Sequence, residues 1–428
     1  MTDDNLQSRL VIAPEHTATS VQALTAAYLL GIILPETRVR LHALDALRGL
    51  AALAVVLWHW QHFQLLGTHQ LTWSNTAPPL DHSHQPFFWA LSLFYSSGYI
   101  AVDLFFLISG FIFFWLYADR LGDRSLSVID FWVLRITRLY PLHLVTLLVV
   151  AALELTFRRE TGQFFIYGAN DLSHFLRGLL FFQSNGAGAS FNGPTWSITI
   201  ELIMYGLFCA VAWFGLLRYA LVPFVIFLLG LFIYSKHQNI AMGICGFFEG
   251  GLVYYLFLRV RNSVHRPKIF LMTMFACVAG WLAVLAGNYA PLMAHGDFAR
   301  FILPVNGIAL RLSVAYILFP LTILLLAMHE TTATTTFRYR YLSWLGEISY
   351  SSYLLHFPLQ LIFALAIMRG FLSLKTENSD VFLLVYGGIL IALSLVVFRG
   401  FELPVQRKLR ESWKRMVHLS SSSRKQPA

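Results

Sequence analysis

The stretch LDALRGLAALAVVLWHWQHFQLL, residues 44–66, decides the fold. It is apolar enough and long enough to cross a bilayer, which takes about 20 residues. Within it stand two bases, Arg48 and His59, with ten residues between them. Eleven helical steps of about 100° close three turns and overshoot by roughly 20°, so both side chains fall on one helix face about 16 Å apart. An ionisable residue inside a membrane span costs about 2.5–3.5 kcal/mol or more, and therefore faces a cavity, a partner or a substrate. Asp45, three residues before Arg48, lies beside it on that face and is placed to pair with the guanidinium.

Working outward, the rest of the chain has the same character. Of 428 residues, 57% are hydrophobic, 15% aromatic and 12% charged. A soluble domain carries about 25% charged residues. The 37 Phe, 18 Tyr and 11 Trp suit lipid-facing surfaces and interfacial belts. The expected fold is all-α, a polytopic membrane protein of about ten transmembrane helices. The formal charge of +9 is scattered between apolar spans, which points to topological bias and away from nucleic acid. Cys209, Cys245 and Cys277 all lie in apolar segments and make neither a disulfide framework nor a zinc pattern. No metal site is expected.

Residues 1–20 are polar, and the short apolar run Val21–Leu34 ends at Pro35 without a basic opening, so no cleavable signal peptide is expected. That run reads as an interfacial segment of an N-terminal extension, residues 1–40. Ten stretches are candidate spans: 44–66, 92–117, 134–156, 196–217, 219–234, 243–258, 269–287, 304–328, 348–368 and 381–399; the fifth and sixth are short, with room for little tilt or a partly re-entrant path. With the N-terminus placed in the cytoplasm, the inner segments hold 23 of the 31 Lys and Arg. Losing one span would invert half the loops and spoil that asymmetry, so ten spans with both termini cytoplasmic is the expected topology. Residues 409–428 read as a basic cytoplasmic tail touching anionic lipid. The longest polar loops, Gly67–Pro86, Arg158–Asp171 and Gly186–Pro194, then fall on the outer side. No internal repeat of the transporter kind is visible.

Four motifs carry polar groups. Arg48 and His59 are the first. The second is Arg135-Ile-Thr-Arg138-Leu-Tyr-Pro141, at the inner mouth of the third span. Its arginines share a face and their planar forks suit phosphate oxygens. They read either as a clamp for a phosphorylated cosubstrate or as an interfacial anchor. In the third, Gly193-Pro-Thr-Trp196-Ser197-Ile-Thr-Ile-Glu201, Gly-Pro breaks the backbone and Trp196 marks the outer interface. Glu201 is expected one turn into the membrane from the outer side, either with a role in the site or held by a buried structural hydrogen bond or an arginine such as Arg311. In the fourth, Ser349, Ser352, Tyr353 and His356 share a face, with Pro358 freeing a carbonyl near His356. That stripe lines a polar cavity or joins helices.

Taken together, these motifs resemble acyltransferase family 3, integral membrane enzymes found mostly in bacteria. The resemblance rests on Leu44-Asp45-Ala-Leu-Arg48-Gly49 with His59; Gly98-Tyr-Ile-Ala-Val-Asp103 through Ser109-Gly110-Phe111; Arg135-x-x-Arg138-x-x-Pro141; Trp196-Ser197 with Glu201; Ser349-Tyr350 with His356 and Pro358; and Phe401-Glu402-x-Pro404. It runs from residue 41 to about 408, the expected acyltransferase domain. It matches the stand-alone form, without the extracytoplasmic hydrolase-like domain that some members append.

The resemblance implies O-acylation of a carbohydrate, usually acetylation of a lipopolysaccharide, exopolysaccharide, Nod-factor or other glycan hydroxyl, at the bacterial inner membrane. Acyl-CoA, with acetyl-CoA first, is the implied cosubstrate; no tightly bound cofactor and no nucleic acid are expected. Arg135 and Arg138 would bind CoA phosphates. His59 would act in the chemistry as base or as acyl carrier, with Arg48 orienting it or the thioester. Glu201 and Asp103 would hold sugar hydroxyls or support His59, with Ser109, Trp196, Ser197, Tyr353 and His356 supporting. The competing class is a proton-coupled secondary transporter, which also needs intramembrane Arg, His and Glu. A non-catalytic lipid- or partner-binding protein is a third.

Overall fold

In a computed structural model the described residues are 40–67, 83–183, 189–293, 308–331 and 336–423. The interfacial run Val21–Leu34, most of the Gly67–Pro86 loop and the last five residues lie outside them. The chain divides into the units Met1–Arg40 and Leu41–Ala428, and only the second is treated below.

Among the described residues the fold is all-α, with nine helices long and apolar enough to cross a membrane. Helix α1 (His42–Trp58) continues as the tighter 3-10 segment His59–Gly67. A second crossing joins α2 (Phe88–Ser97) to α3 (Ala101–Gly122) through the 3-10 turn Gly98–Ile100. The chain then runs through α4 (Val128–Thr161), the short α5 (Leu172–Leu179) and α6 (Trp196–Trp213). Next come α7 (Leu221–Ile233), α8 (Gln238–Arg261) and α9 (Arg266–Met293). Helix α10 (Ile308–Ser313) passes through a π-helical turn into α11 (Phe319–Glu330). Last are α12 (Thr336–Glu347), α13 (Ser349–Met368), α14 (Asp380–Val397) and α15 (Leu403–Ser423).

All ten expected segments are helical where described. The fifth is short, as expected: α7 has 13 residues, about 20 Å at 1.5 Å per residue. That is short of a ~30 Å hydrocarbon core. The expected basic tail, residues 409–428, is helical as far as Ser423, as part of α15.

Local chemistry sets the helix ends. Ser127 opens α4 by accepting from the Asp130 N–H at 3.0 Å, the usual fate of a first-turn donor. Gly162, at φ +80°, closes it, and its N–H bonds Arg158 O at 2.9 Å. Helix α1 has no local cap. Glu330, at the end of α11, takes its place: the carboxylate accepts the His42 and Ala43 N–H groups at 2.6 and 2.8 Å.

Two glycine crossings hold the centre together. Helices α3 and α8 meet so closely that a Cβ on Gly110 would lie 1.9 Å from Phe247 O, and one on Gly250 would lie 2.2 Å from Leu107 O. Gly246 and Gly250 are four apart, the spacing by which membrane helices approach through small residues. At the α1–α12 crossing, a Cβ on Gly346 would fall 2.0 Å from Asp45 O. Burial follows this plan: 72% of the α8 and α13 span windows is buried, against 11% for α9. Helices α1, α3, α8 and α13 are interior, and α9 faces outward.

Candidate active site: two chambers in series

Arg48 and His59 sit on one helix but open into different cavities. Arg48 lines a chamber of about 120 Å³ with Arg135, Arg138, Glu201 and Tyr205. His59 lines another of about 220 Å³ with His62, Tyr99, Trp196, Asn239 and Arg311. Tyr353 and Val102 line both.

In the arginine chamber, Arg48 is fastened rather than free. Its Nε donates to Ser349 Oγ at 3.1 Å and its Nη2 to Gly346 O at 2.6 Å. Asp45 pairs with it at 3.2 Å, as its spacing predicts. Arg135 and Arg138 leave α4 into this chamber in different settings. The Arg135 guanidinium lies 5.2 and 5.0 Å from the Phe113 and Tyr117 ring centroids and donates to Tyr117 Oη at 2.6 Å. Its Nε is buried with no hydrogen-bond partner. Arg138 interacts electrostatically with Glu201 and Glu402.

Of the two structural partners expected for Glu201, the structure has the buried hydrogen bonds and not the Arg311 pair. Glu201 lies in the arginine chamber. Ser109 Oγ donates to Glu201 Oε1 at 3.1 Å, and Tyr205 Oη donates to the same oxygen. Arg311 instead clasps Asp103 through its Nε and Nη2 at 3.1–3.4 Å, which takes up the carboxylate expected to hold sugar or support His59. With Asp45 offsetting Arg48 and with Glu201 and Glu402 facing Arg138, Arg135 is the guanidinium held by rings and a hydroxyl rather than by a carboxylate. Buried charge of one sign is costly without a counter-ion, so the chamber suits an anion.

In the histidine chamber three imidazoles gather. The His59 ring centroid is 5.0 Å from that of His62 and 4.9 Å from that of His356. Each ring's Nδ1 meets an oxygen that only accepts: Val55 O at 2.8 Å, Gln360 Oε1 at 3.1 Å and Tyr353 O at 2.6 Å. Nδ1 is therefore the protonated nitrogen of each, and Nε2 keeps its lone pair. Gln360 ties two of these residues together, since its Nε2 also donates to His59 O at 2.9 Å. His356 Nε2 is buried without a partner. The cavity wall adds the aromatic faces of Trp58, Tyr99, Tyr167 and Trp196 and the amides of Gln238 and Asn239.

Helix α13 connects the chambers. Ser349 anchors Arg48, Tyr353 stands at the boundary and His356 abuts His59, at the helical spacings of four and three. Pro358 has no N–H for Leu354 O, and Asn192 Nδ2 donates to that carbonyl at 3.0 Å. Ser352 donates to Ser349 O within the helix. Sequence reading did not single out His62, Asn192, Tyr205 or Gln360 as site residues. Tyr205 is signalled by its place four after Glu201, and His62 by its place three after His59. Nothing local signals Asn192 or Gln360. Arg410 of α15 was likewise missed; it reaches back to α4, donating to Leu134 O at 3.0 Å and Thr137 Oγ1 at 3.3 Å.

The chain belongs to acyltransferase family 3: the family's sequence model, an acyltransferase domain, matches residues 41–399. The chain is thus a multi-pass membrane protein of that family. It is 33% identical over 189 residues to the acyltransferase MdmB of Streptomyces mycarofaciens, a match covering 43% of this chain and 42% of that one. It is 27% identical over 188 residues to protein 2 in the picA locus of Rhizobium radiobacter, covering 39% of this chain and 78% of that one. The MdmB alignment therefore spans less than half of either protein. No solved structure matches.

Proposed function

We propose that this protein transfers an acyl group, acetyl first among candidates, from acyl-CoA to a hydroxyl of a glycan destined for the cell surface. The observation that carries this reading is the pair of chambers meeting at Tyr353 and Val102. One is lined by three guanidiniums; the other has an imidazole whose Nδ1 donates to Val55 O, which leaves Nε2 its lone pair. A CoA thioester is anionic at one end and electrophilic at the other, and it needs both.

In this scheme Arg138 and Arg135 attract the CoA phosphates, and Arg48 lines the path of the thioester. The acceptor lies in the histidine chamber, its sugar ring against Trp196 or Tyr99 and its hydroxyls on Asn239 and Gln238. His59 Nε2 takes the hydroxyl proton as the oxygen attacks the thioester carbonyl. The acyl C–S bond breaks, the C–O ester forms, and the imidazolium returns the proton to the departing thiolate. Val55 O holds the imidazole in the tautomer this requires, and Gln360 Nε2 ties down the backbone carbonyl of the same residue. The scheme has the arginine chamber open to the cytoplasm, where acyl-CoA is available.

The test is mass spectrometry of cell-surface glycans from strains with and without the protein, together with transfer of labelled acetyl from acetyl-CoA to isolated glycan. Loss of an acetyl mass increment in the deletion strain, restored by the wild type and not by His59→Ala, is the expected result. Glycans identical in both strains would overturn the reading. Substrate flux in vesicles lacking any acyl donor would establish the transporter in its place.

A further inference from the structure

Tyr353 is 7% exposed, yet it is the polar side chain that both chambers touch. Its ring packs edge-on against Phe105 on one side and His356 on the other, at centroid distances of 5.9 and 5.8 Å. Its hydroxyl donates to Pro194 O at 2.8 Å and lies 2.8 Å from Ser197 Oγ. Ser197 also reaches Pro194 O, at 3.2 Å. The carbonyl belongs to the 3-10 turn Gly193–Thr195 at the head of α6, so the hydroxyl is bound to a fixed point on another helix.

A phenylalanine would fill this space equally well. The hydroxyl adds a latch: it holds the ring across the passage through two hydrogen bonds that a side-chain rotation can break and remake. Two cavities placed end to end through a membrane protein form a leak for water and ions unless something closes them. Latched, Tyr353 stands in the wall that the two cavities share.

We propose that Tyr353 is the specificity-determining partition of this enzyme, which keeps the chambers apart until a thioester arrives and sets the length of acyl group that passes. The inference rests on the acyl-transfer reading for its substrate, and on geometry alone for the partition. The step it gates breaks the acyl C–S bond and makes a C–O ester, with the hydroxyl proton passing by way of His59 to the thiolate. Nothing besides the two substrates is consumed.

The experiment has two arms. In proteoliposomes of a variant lacking Cys209, Cys245 and Cys277, single cysteines replace Ser109 in the arginine chamber or Asn239 in the histidine chamber. A small impermeant thiosulfonate is applied from either side. Ser109→Cys should react from one side and Asn239→Cys from the other. Tyr353→Ala should let Asn239→Cys react from the Ser109 side as well, at least about tenfold faster than with Tyr353 intact. Equal labelling of Asn239→Cys from both sides with Tyr353 in place, or no change on its removal, would overturn the partition.

In the second arm, wild type, Tyr353→Phe and Tyr353→Ala are given acetyl-, butyryl- and hexanoyl-CoA. Each methylene too many in a tight pocket costs about tenfold or more in kcat/KM. The wild type should therefore favour acetyl steeply, and Tyr353→Ala should flatten the series. Tyr353→Phe should keep the preference for acetyl while hydrolysing more acetyl-CoA without acceptor, because ring and latch are separated in it. If Tyr353→Ala does not fold, Tyr353→Phe still decides: unchanged hydrolysis would overturn the latch. The labelling needs no acyl transfer. A wild type that moves no acyl group would thus overturn the donor reading and the chain-length claim, while the partition is judged by the labelling.

Discussion

The two chambers lie along the same α1 and α13 helices and are built in opposite ways. The arginine chamber is walled by ionised groups that balance only in part: Arg48 against Asp45, Arg138 near Glu201 and Glu402, Arg135 against rings. The histidine chamber carries its bases with every Nδ1 proton assigned to an oxygen, and its one nearby ion pair, Asp103–Arg311, is closed on itself. One attracts by charge, and the other keeps charge out until chemistry creates it. A membrane interior makes each arrangement expensive to alter, which turns the contrast into measurable differences.

The largest effect is expected at His59. His59→Ala should lower transfer by about 10²–10⁴-fold, the range for a general base. Size-exclusion elution in detergent should be unchanged. Transfer at the wild-type rate by a well-expressed variant would move the chemistry out of the histidine chamber.

Next is the closed ion pair. Asp103→Asn leaves Arg311 buried without its counter-charge, and breaking one side of such a pair costs about 3–5 kcal/mol. A thermal melt in detergent should show a large drop, and Asp103→Leu with Arg311→Met should recover most of it. A melt that does not move would show that the pair is not buried in the working protein.

Arg138→Ala probes the other chamber. Losing a charge-assisted bond to phosphate costs about 1.5–3 kcal/mol, or about 10–150-fold in donor KM, with kcat little changed. Added salt should weaken donor binding to the wild type more than to the variant. A kcat effect with KM unchanged would assign Arg138 to the chemistry and blur the division between the chambers.

The smallest effect lies outside both. Glu377 sits in the α13–α14 connection, where its backbone carbonyl accepts the Trp60 indole N–H at 3.0 Å. Burial pushes its carboxyl up from 4.5 to about 7. A group raised in the folded state holds its proton better there, so its stabilising contribution is full below about pH 4.5 and is lost as pH rises towards 7. Melting temperature should fall gently over that window, and Glu377→Gln should flatten the slope. A slope that persists in Glu377→Gln would trace it to another group.

The parts legible in the sequence were those with a local period. Residues 44–66 declared a span and put Arg48, Asp45 and His59 on it. Ser349, Tyr353 and His356 declared one face of α13, and Pro358 a freed carbonyl. Pairings across the chain had no local sign. Asp103 and Arg311 are 208 residues apart, and Asn192 and Leu354 are 162 apart. Glu201 shows the limit most plainly. Counting turns from Trp196 gave its depth from one end of its own helix, but the chamber it joins is fixed by Ser109 on α3 and the arginines on α4. Likewise, equal spacing on α4 says nothing of why Arg135 is wedged between rings while Arg138 faces carboxylates. The shortness of the fifth apolar run was legible as well, and α7 has 13 residues.

Glu330 has a consequence in time. The ribosome delivers α1 well before α11: the carboxylate that takes its leading N–H groups lies 288 residues downstream. At about 5–20 residues per second, that carboxylate is made roughly a quarter-minute to a minute later. Throughout that interval α1 is in the membrane with one end unsecured, and unpaired N–H groups are poorly tolerated there. Helix α1 is therefore among the first helices to be made and among the last to be seated. Chains halted before Glu330 should remain open to membrane quality-control proteases however completely α1 has inserted.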